Sequence, residues 1–315
     1  MTPPRVVVFG ASGFIGRYVV RDLARGGAVI AACARHASSA GFLRPMGDVG
    51  QIAPLSADLG DERALAAVVA GADVVVNLVG ILHERGKQRF DLAHHRGPDH
   101  LAASAKSAGV KRFVHVSAIA ADAHSSSAYA RSKAEGEDAV RAAFPGAIIL
   151  RPSLVFGPED NFFNRFAAMA RVSPVLPLIG GGATKFQPVY VGDVAAAIAT
   201  VLSRDDTDGR TYELAGPAVF TMRQLFELML HLIGRKRALV SIPFGLASLK
   251  AFFLEWLPRP PLTRDQVRML RHDAIATSNA PGFAELGITP AAIELILPTY
   301  IDRFRRTGRL KPSPV

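Results

Sequence analysis

The stretch Val6-Val7-Val8-Phe9-Gly10-Ala11-Ser12-Gly13-Phe14-Ile15-Gly16 decides the fold. An apolar run of strand character ends on a glycine turn, and the turn opens into helical spacing that continues to Arg25. Glycines in this pattern say little by themselves; between a strand and a helix they describe a phosphate cradle. Gly10 permits the tight turn, Gly13 lets the backbone approach a pyrophosphate, and Gly16 lets the helix close on the sheet. The helix start then offers free N–H groups and a positive dipole end to the phosphates. A dinucleotide is therefore expected on Gly10, Ser12, Gly13, Phe14, Ile15 and Gly16.

Outward from this turn, short apolar runs alternate with longer amphipathic stretches. Strands are expected at 5–9, 28–33, 51–55, 74–78, 112–117 and 147–151, with helices at 13–25, 61–69, 96–108 and 129–144. Such alternation predicts an α/β fold: a Rossmann-type doubly wound parallel sheet, its strands apolar on both faces. After Arg151 the pattern changes. Loops are marked by Pro152, Gly157 and Pro158 and by Gly180-Gly181-Gly182; a strand feeds a helix at 190–199, and another strand lies at 211–214. From Thr221 the chain is mostly helical, and the tail 311–315 is expected to fray. We expect a nucleotide-binding domain at 1–155, completed by about 186–216, and a smaller, mostly helical domain from 156–185 and 217–315.

The end of the second strand reads the adenosine ribose in such folds: a carboxylate there selects NAD(H), an arginine tolerates the 2′-phosphate of NADP(H). Ala31-Ala32-Cys33-Ala34-Arg35-His36 holds no carboxylate, so Arg35 favours NADP(H), with NAD(H) the alternative. Asp58 and Leu59, after the third strand, stand where an adenine contact is expected; Asp58 also reads as a helix cap. Gly80, past the fourth strand, is small enough to lie against the coenzyme.

Tyr129 and Lys133 are four residues apart, on one face of a predicted helix. Lys133 can hold ribose hydroxyls, and its charge would favour a tyrosinate at Tyr129 able to move a proton. The same pair can also hold the coenzyme without chemistry. The orienting hydroxyl of such a site would be Ser117, in Val116-Ser117-Ala118.

A formal charge of +10 suits anionic ligands, lipid or an acidic partner, but the basic residues are scattered and lack interleaved aromatics, so no nucleic acid is expected. The one cysteine, Cys33, excludes an internal disulfide. A leader peptide and a run of about 18 apolar residues are both missing from the pattern, so a cytoplasmic location is expected. His94, His95 and His100 lack metal-site spacing; no metal is expected, and they read as polar surface. Asp193 reads as a helix cap.

The glycine motif, the Tyr129–Lys133 pair and Arg151-Pro152-Ser153-Leu154-Val155-Phe156-Gly157-Pro158 together resemble the extended short-chain dehydrogenase/reductase superfamily. The resemblance implies that Pro152, Ser153 and Val155 lie near a nicotinamide. It also implies a catalytic hydroxyl one residue past the strand's terminal serine, where this chain has Ala118. Further stretches resemble an atypical branch that includes the NADPH-binding accessory subunit of respiratory complex I. They are Arg141-Ala142-Ala143-Phe144-Pro145-Gly146-Ala147-Ile148-Ile149-Leu150, Glu159-Asp160-Asn161-Phe162-Phe163-Asn164-Arg165-Phe166-Ala167, Lys185-Phe186-Gln187-Pro188-Val189-Tyr190-Val191-Gly192-Asp193-Val194 and Leu262-Thr263-Arg264-Asp265-Gln266-Val267. That resemblance implies a tightly held, largely structural NADP(H) and partners among complex I subunits or a quinone-pathway assembly.

Residues 241–257 are rich in Phe and Leu, carry Trp256, and are charged only at Lys250 and Glu255. Too short to span a bilayer, they can lie on an anionic membrane surface with Arg259, Arg264, Arg268 and Arg271, or pack as an ordinary core helix. Three functions stay open: an NADP(H) holder tied to complex I or quinone metabolism; an active oxidoreductase or epimerase using Tyr129 on an unknown small molecule; and a redox sensor. A holder or enzyme on the inner face of the cytoplasmic membrane would be peripheral.

Overall fold

The computed structural model describes residues 2–258 and 260–305. Arg259 and the tail 311–315, which figured in the sequence reading, lie outside the described residues. The chain forms two compact units.

The first unit comprises Met1–Pro152, Gly192–Leu214 and Thr277–Thr289. Its strands are β1 (Arg5–Phe9), β2 (Val29–Ala34), β3 (Ile52–Ser56), β4 (Val74–Asn77), β5 (Arg112–Val116), β6 (Ile148–Pro152) and β7 (Thr211–Leu214). They form one sheet in the order β3-β2-β1-β4-β5-β6-β7, parallel throughout. The order reverses between β1 and β4, which opens a crevice at the C-terminal ends of those strands. Apolar residues run continuously along β1, β2 and β4 because helices cover both faces. Helices α2 (Glu62–Val69), α3 (Gly97–Ser107) and α4 (Ala128–Ala143) pack Leu65, Leu101, Ala105 and Val140 against Val7, Val75, Phe113 and Ile149 of one face. Helix α1 (Phe14–Arg25) packs on β1 and β2.

Residues 277–289, read from sequence as part of the smaller domain, pack in the first unit. The backbone N–H of Glu213 donates to the Pro281 carbonyl at 2.8 Å, and the Glu213 carboxylate accepts from the Thr277 N–H at 2.7 Å. These contacts span 64 or more residues of chain, which no local pattern reports.

The second unit comprises Ser153–Val191, Ala215–Ala276 and Pro290–Val315. Its core gathers Phe156, Phe163, Leu178, Leu225, Phe226 and Ile301, among others. Short ribbons tie its helices together, the longest being Val175–Ile179 paired with Ala238–Ile242. The helix Phe244–Leu254 inverts the usual arrangement. It buries only the small Ala247 and Ala251, while Leu246, Leu249, Phe252 and Phe253 stand exposed and Trp256 just beyond is 81% exposed. Among the described residues no helix is long and apolar enough to cross a membrane.

Candidate coenzyme site

The turn after β1 has the geometry of a dinucleotide cradle. Gly10 has φ +77°, and a Cβ there would press on the Leu78 backbone at 3.1 Å. Gly16 faces the turn so closely that a Cβ would stand 2.6 Å from the Ala11 carbonyl oxygen and nearer still to that of Gly10. Helix α1 has Gly13 as its N-cap, with no side-chain cap and no acidic residue in its first turn. The first bond back into the turn is from the Arg17 N–H to the Gly13 carbonyl at 3.2 Å, which leaves the amides of Phe14, Ile15 and Gly16 for an anion. Ser12 sits half-buried within the turn. A pyrophosphate fits this donor set.

Arg35 follows the end of β2, exposed, and its guanidinium meets the side chain of Gln88; with the amide oxygen turned toward it, Gln88 accepts two N–H bonds. Asp58 closes a turn by accepting from the Gly60 N–H at 2.8 Å, while Asp61 caps α2 through the Ala64 N–H at 3.1 Å. Asp58 is thus not the cap. Leu59 is buried beneath α3. Pro152 ends β6, its carbonyl accepting from the Ile119 N–H at 3.1 Å. Ser153 and Val155 belong to the second unit. There the Ser153 hydroxyl donates to the Ala274 carbonyl at 2.7 Å, and Val155 pairs with Val189.

Lys133 and Gly80 are brought together: a Cβ on Gly80 would lie 3.7 Å from Lys133 Nζ. Lys133 is buried and donates to the Val116 carbonyl at 3.0 Å; burial brings its pKa down to about 8, opposed by the nearby Glu137 charge. Tyr129 departs from the sequence expectation of a favoured tyrosinate. Burial pushes its phenol up to about 12, because the loss of hydration penalises the anion. Ser117, expected to orient a reacting oxygen, is buried just past the end of β5. Its buried hydroxyl lies beside the Glu137 carboxylate and helps to hold it ionised. Glu137 is eight residues beyond Tyr129 on α4, about 12 Å along the axis. The hydroxyl therefore faces a buried ion pair. Burial opposes ionisation of Glu137, but the bonds from Arg151 at 2.7 and 2.8 Å and the Ser117 hydroxyl outweigh it, and its pKa falls below the usual range.

His94 is the residue that the sequence reading missed. Expected as polar surface with His95 and His100, it is fully buried, while His95 pairs with Asp91 at 3.2 Å and His100 faces Glu62 at 3.5 Å. It sits in a π-helical turn, Asp91–Arg96, of the sort that gathers at functional sites. Its Nε2 accepts from the Ile81 N–H at 3.0 Å, so the proton is on Nδ1, which donates to Ser132 Oγ at 2.9 Å. Ser132 in turn donates to the Tyr129 carbonyl at 2.8 Å, and the His94 ring meets the Tyr129 ring edge-on at 5.4 Å. Burial first, then the charge of Lys133, brings the His94 pKa down to about 2. The ring is a neutral strut between the Gly80–Ile81 loop and α4. Asp193, expected as a cap, lies inside the first turn of the helix Val191–Ser203. Among the described residues no cluster of metal-ligating side chains occurs.

The model of one protein family, the NAD dependent epimerase/dehydratase family, matches residues 6–215, from β1 through the end of β7. The chain belongs to the NAD dependent epimerase/dehydratase family. A relative in Arabidopsis thaliana, NADH dehydrogenase (ubiquinone) 1 alpha subcomplex subunit 9, mitochondrial, is 39% identical over 96% of this chain and 78% of its own. A ceramide reductase of Caulobacter vibrioides is 32% identical over 76% of this chain and 73% of its own. The solved structure of an NADPH-dependent quinone oxidoreductase of Escherichia coli, bound to NADPH, has the same fold. Its TM-score is 0.72 and its identity 22%, over 91% of this chain and 96% of that one. In this family the nicotinamide dinucleotide, when bound, supplies hydride chemistry. What this chain's residues contribute is an anion cradle, a buried cation at Lys133 beside Gly80, and a phenol at Tyr129 held in its protonated form.

Proposed function

We propose that the protein holds NADP(H) as a largely structural group and serves as an accessory component of a quinone-reducing NADH dehydrogenase of the complex I type. The likeness to the Arabidopsis subunit over nearly the whole chain carries this reading. The site supports it. Ala118 supplies no hydroxyl where the resemblance expects one, Ser117 faces Glu137, and Tyr129 is a poor proton donor and acceptor near neutral pH. Arg35, with no carboxylate beside it among the described residues, favours NADP(H).

The exposed apolar helix Phe244–Leu254 supports a peripheral place on the cytoplasmic face of a membrane. An anionic lipid surface suits it, because Arg264 lies over the Phe252 ring and Arg271 over the Phe244 ring, next to the exposed Phe253 and Trp256. Vesicles containing phosphatidylglycerol should sediment the protein while phosphatidylcholine vesicles leave it in solution, and Phe253→Glu with Trp256→Glu should abolish the difference. Equal behaviour with both lipids, or indifference to the double change, removes the membrane from the proposal.

A second reading, an active reductase, is favoured by the Tyr129–Lys133 pair and by the likeness to the ceramide reductase. Mass spectrometry of nucleotide released from protein purified without added coenzyme tests both. Stoichiometric NADP(H) that resists oxidation by candidate carbonyl and quinone substrates, unchanged by Tyr129→Phe, fits the holder. An exchanging coenzyme whose consumption stops with Tyr129→Phe fits the reductase and overturns the first reading.

A further inference from the structure

The segment after β4 reaches further than the sheet order requires. Strand β2 is separated from β4 by β1, so its end is about 10 Å from that of β4. The chain leaves β4 against Gly10, where a Cβ would touch the Leu78 backbone, and returns to α3 only after bringing Gln88 onto Arg35. It therefore runs from the end of β4 to the end of β2, with β1 between them.

The far end of this segment is a built turn. Arg85 and Gln88 exchange both backbone hydrogen bonds at 2.9 Å, with Gly86 between them at φ +55°. Glu84 closes the turn by accepting from the Phe90 N–H at 2.9 Å and pairing with Arg89 at 3.4 Å. In a hydrogen-bonded antiparallel pair, the two side chains leave the same face. Arg85 thus emerges on the face from which Gln88 reaches Arg35. The carboxylate of Glu84 is committed elsewhere, and neither Arg35 nor Arg85 has an acidic partner among the described residues.

We propose that Arg85 and Gln88 complete, with Arg35, the site for the 2′-phosphate of the adenosine ribose. The proposal rests on the NADP(H) reading of Arg35. The Gln88 amide oxygen holds the Arg35 guanidinium in place, and its NH₂ group is left to donate to a phosphate oxygen. Arg85 supplies the second cation for a dianion, in the forked geometry that phosphate favours. The turn acts as the outer wall of the 2′-phosphate site.

Dissociation constants for NADPH and NADH, measured by calorimetry on the full chain, test this. Arg85→Ala should weaken NADPH by about tenfold and leave NADH nearly unchanged; Gln88→Ala should act in the same direction with smaller effect. Lys87→Ala, on the same turn, controls for general charge and should change neither by much. Equal losses for both coenzymes, no loss, or a Lys87→Ala effect as large as that of Arg85→Ala overturns the proposal. Arg35→Ala separates the two levels: if it leaves the NADPH-to-NADH ratio unchanged, the NADP(H) reading itself fails. If it collapses the ratio while Arg85→Ala does not, that reading stands and the role of the turn falls.

Discussion

His94 Nδ1 and Ser132 Oγ stand 2.9 Å apart, and the bond runs from ring to hydroxyl because the other ring nitrogen already accepts from the Ile81 amide. One neutral imidazole therefore joins the loop that carries Gly80 to the helix that carries Tyr129 and Lys133. The relation matters because Lys133, Gly80 and His94 converge at one point in the interior, where a Cβ on Gly80 would lie 3.8 Å from His94 Nε2.

Replacing His94 by Leu keeps the volume and removes both bonds. The Ile81 N–H then loses its partner and the Ser132 hydroxyl keeps only its bond to the Tyr129 carbonyl, which costs about 2 kcal/mol. The urea midpoint should fall accordingly, and the variant should bind coenzyme less tightly than its stability loss alone explains. A midpoint within error of the parent protein would mean that the strut carries no load.

Acid should destabilise the protein before its carboxylates titrate. His94 and His115 are held neutral in the fold, the first down to about 2 and the second well below the usual range, both chiefly by burial. In the unfolded chain each takes a proton near its ordinary pKa of about 6.5. Below that pH the unfolded state binds more protons, so the stability they contribute is complete above about pH 6.5 and is lost as pH falls. Unfolding free energy should drop by about 1.4 kcal/mol per pH unit per histidine between about pH 6 and 5, and His94→Leu should reduce the slope by one histidine's share. A flat profile across that window would show that the rings are not buried neutral.

Gly16 and Gly80 should respond differently to alanine. At Gly16 the new methyl would overlap the Gly10 and Ala11 carbonyls, so the cradle must distort; nucleotide retention should be lost and stability should fall by about 2 kcal/mol or more. At Gly80 the nearest atom would be at ordinary contact distance, so Gly80→Ala should fold normally. Thermal melts with and without NADPH separate these outcomes: a ligand that binds only the native state raises the melting temperature of any variant that still holds it.

The Glu137–Arg151 pair should be costly to break from one side. Glu137 is 1% exposed and accepts both Arg151 bonds as well as one from Arg141 at 3.0 Å. Glu137→Gln removes the closer of the two carboxylates on Arg151 and leaves it only Glu213 at 3.6 Å, and a loss of about 2–3 kcal/mol is expected in chemical denaturation. Ser117→Ala, beside the same carboxylate, should cost far less, because a neutral hydroxyl holds the carboxylate less strongly than the Arg151 guanidinium does. The reverse ranking would assign Ser117 the more important role.

The parallel sheet and its glycine turn were legible in the sequence because their signals are local. Strand runs are apolar over consecutive residues, and the cradle lies within the seven residues from Gly10 to Gly16. The same holds for the Tyr129–Lys133 pair, whose shared face follows from helical spacing. His94 was not legible: beside His95 and His100 it has the composition of a surface, and only the π-helical turn and the approach of α4 at Gly136 place it inside. Ser117 could be placed at a strand end, but its direction depends on which face of β5 is covered by α4.

The sequence by itself therefore determined the class of ligand, a dinucleotide on a glycine cradle, because close backbone approach and open helix amides are set by residues adjacent in the chain. It also placed Arg35, and no carboxylate, just past the end of the second strand. Only the tertiary structure decided what surrounds these groups. It turned Ser117 toward Glu137, made His94 a neutral strut, set Gln88 against Arg35, and left the large side chains of Phe244–Leu254 outward. Each of these depends on burial and on contacts between distant segments. Burial fixes the cost of a charge and the value of a hydrogen bond, and no local pattern encodes it.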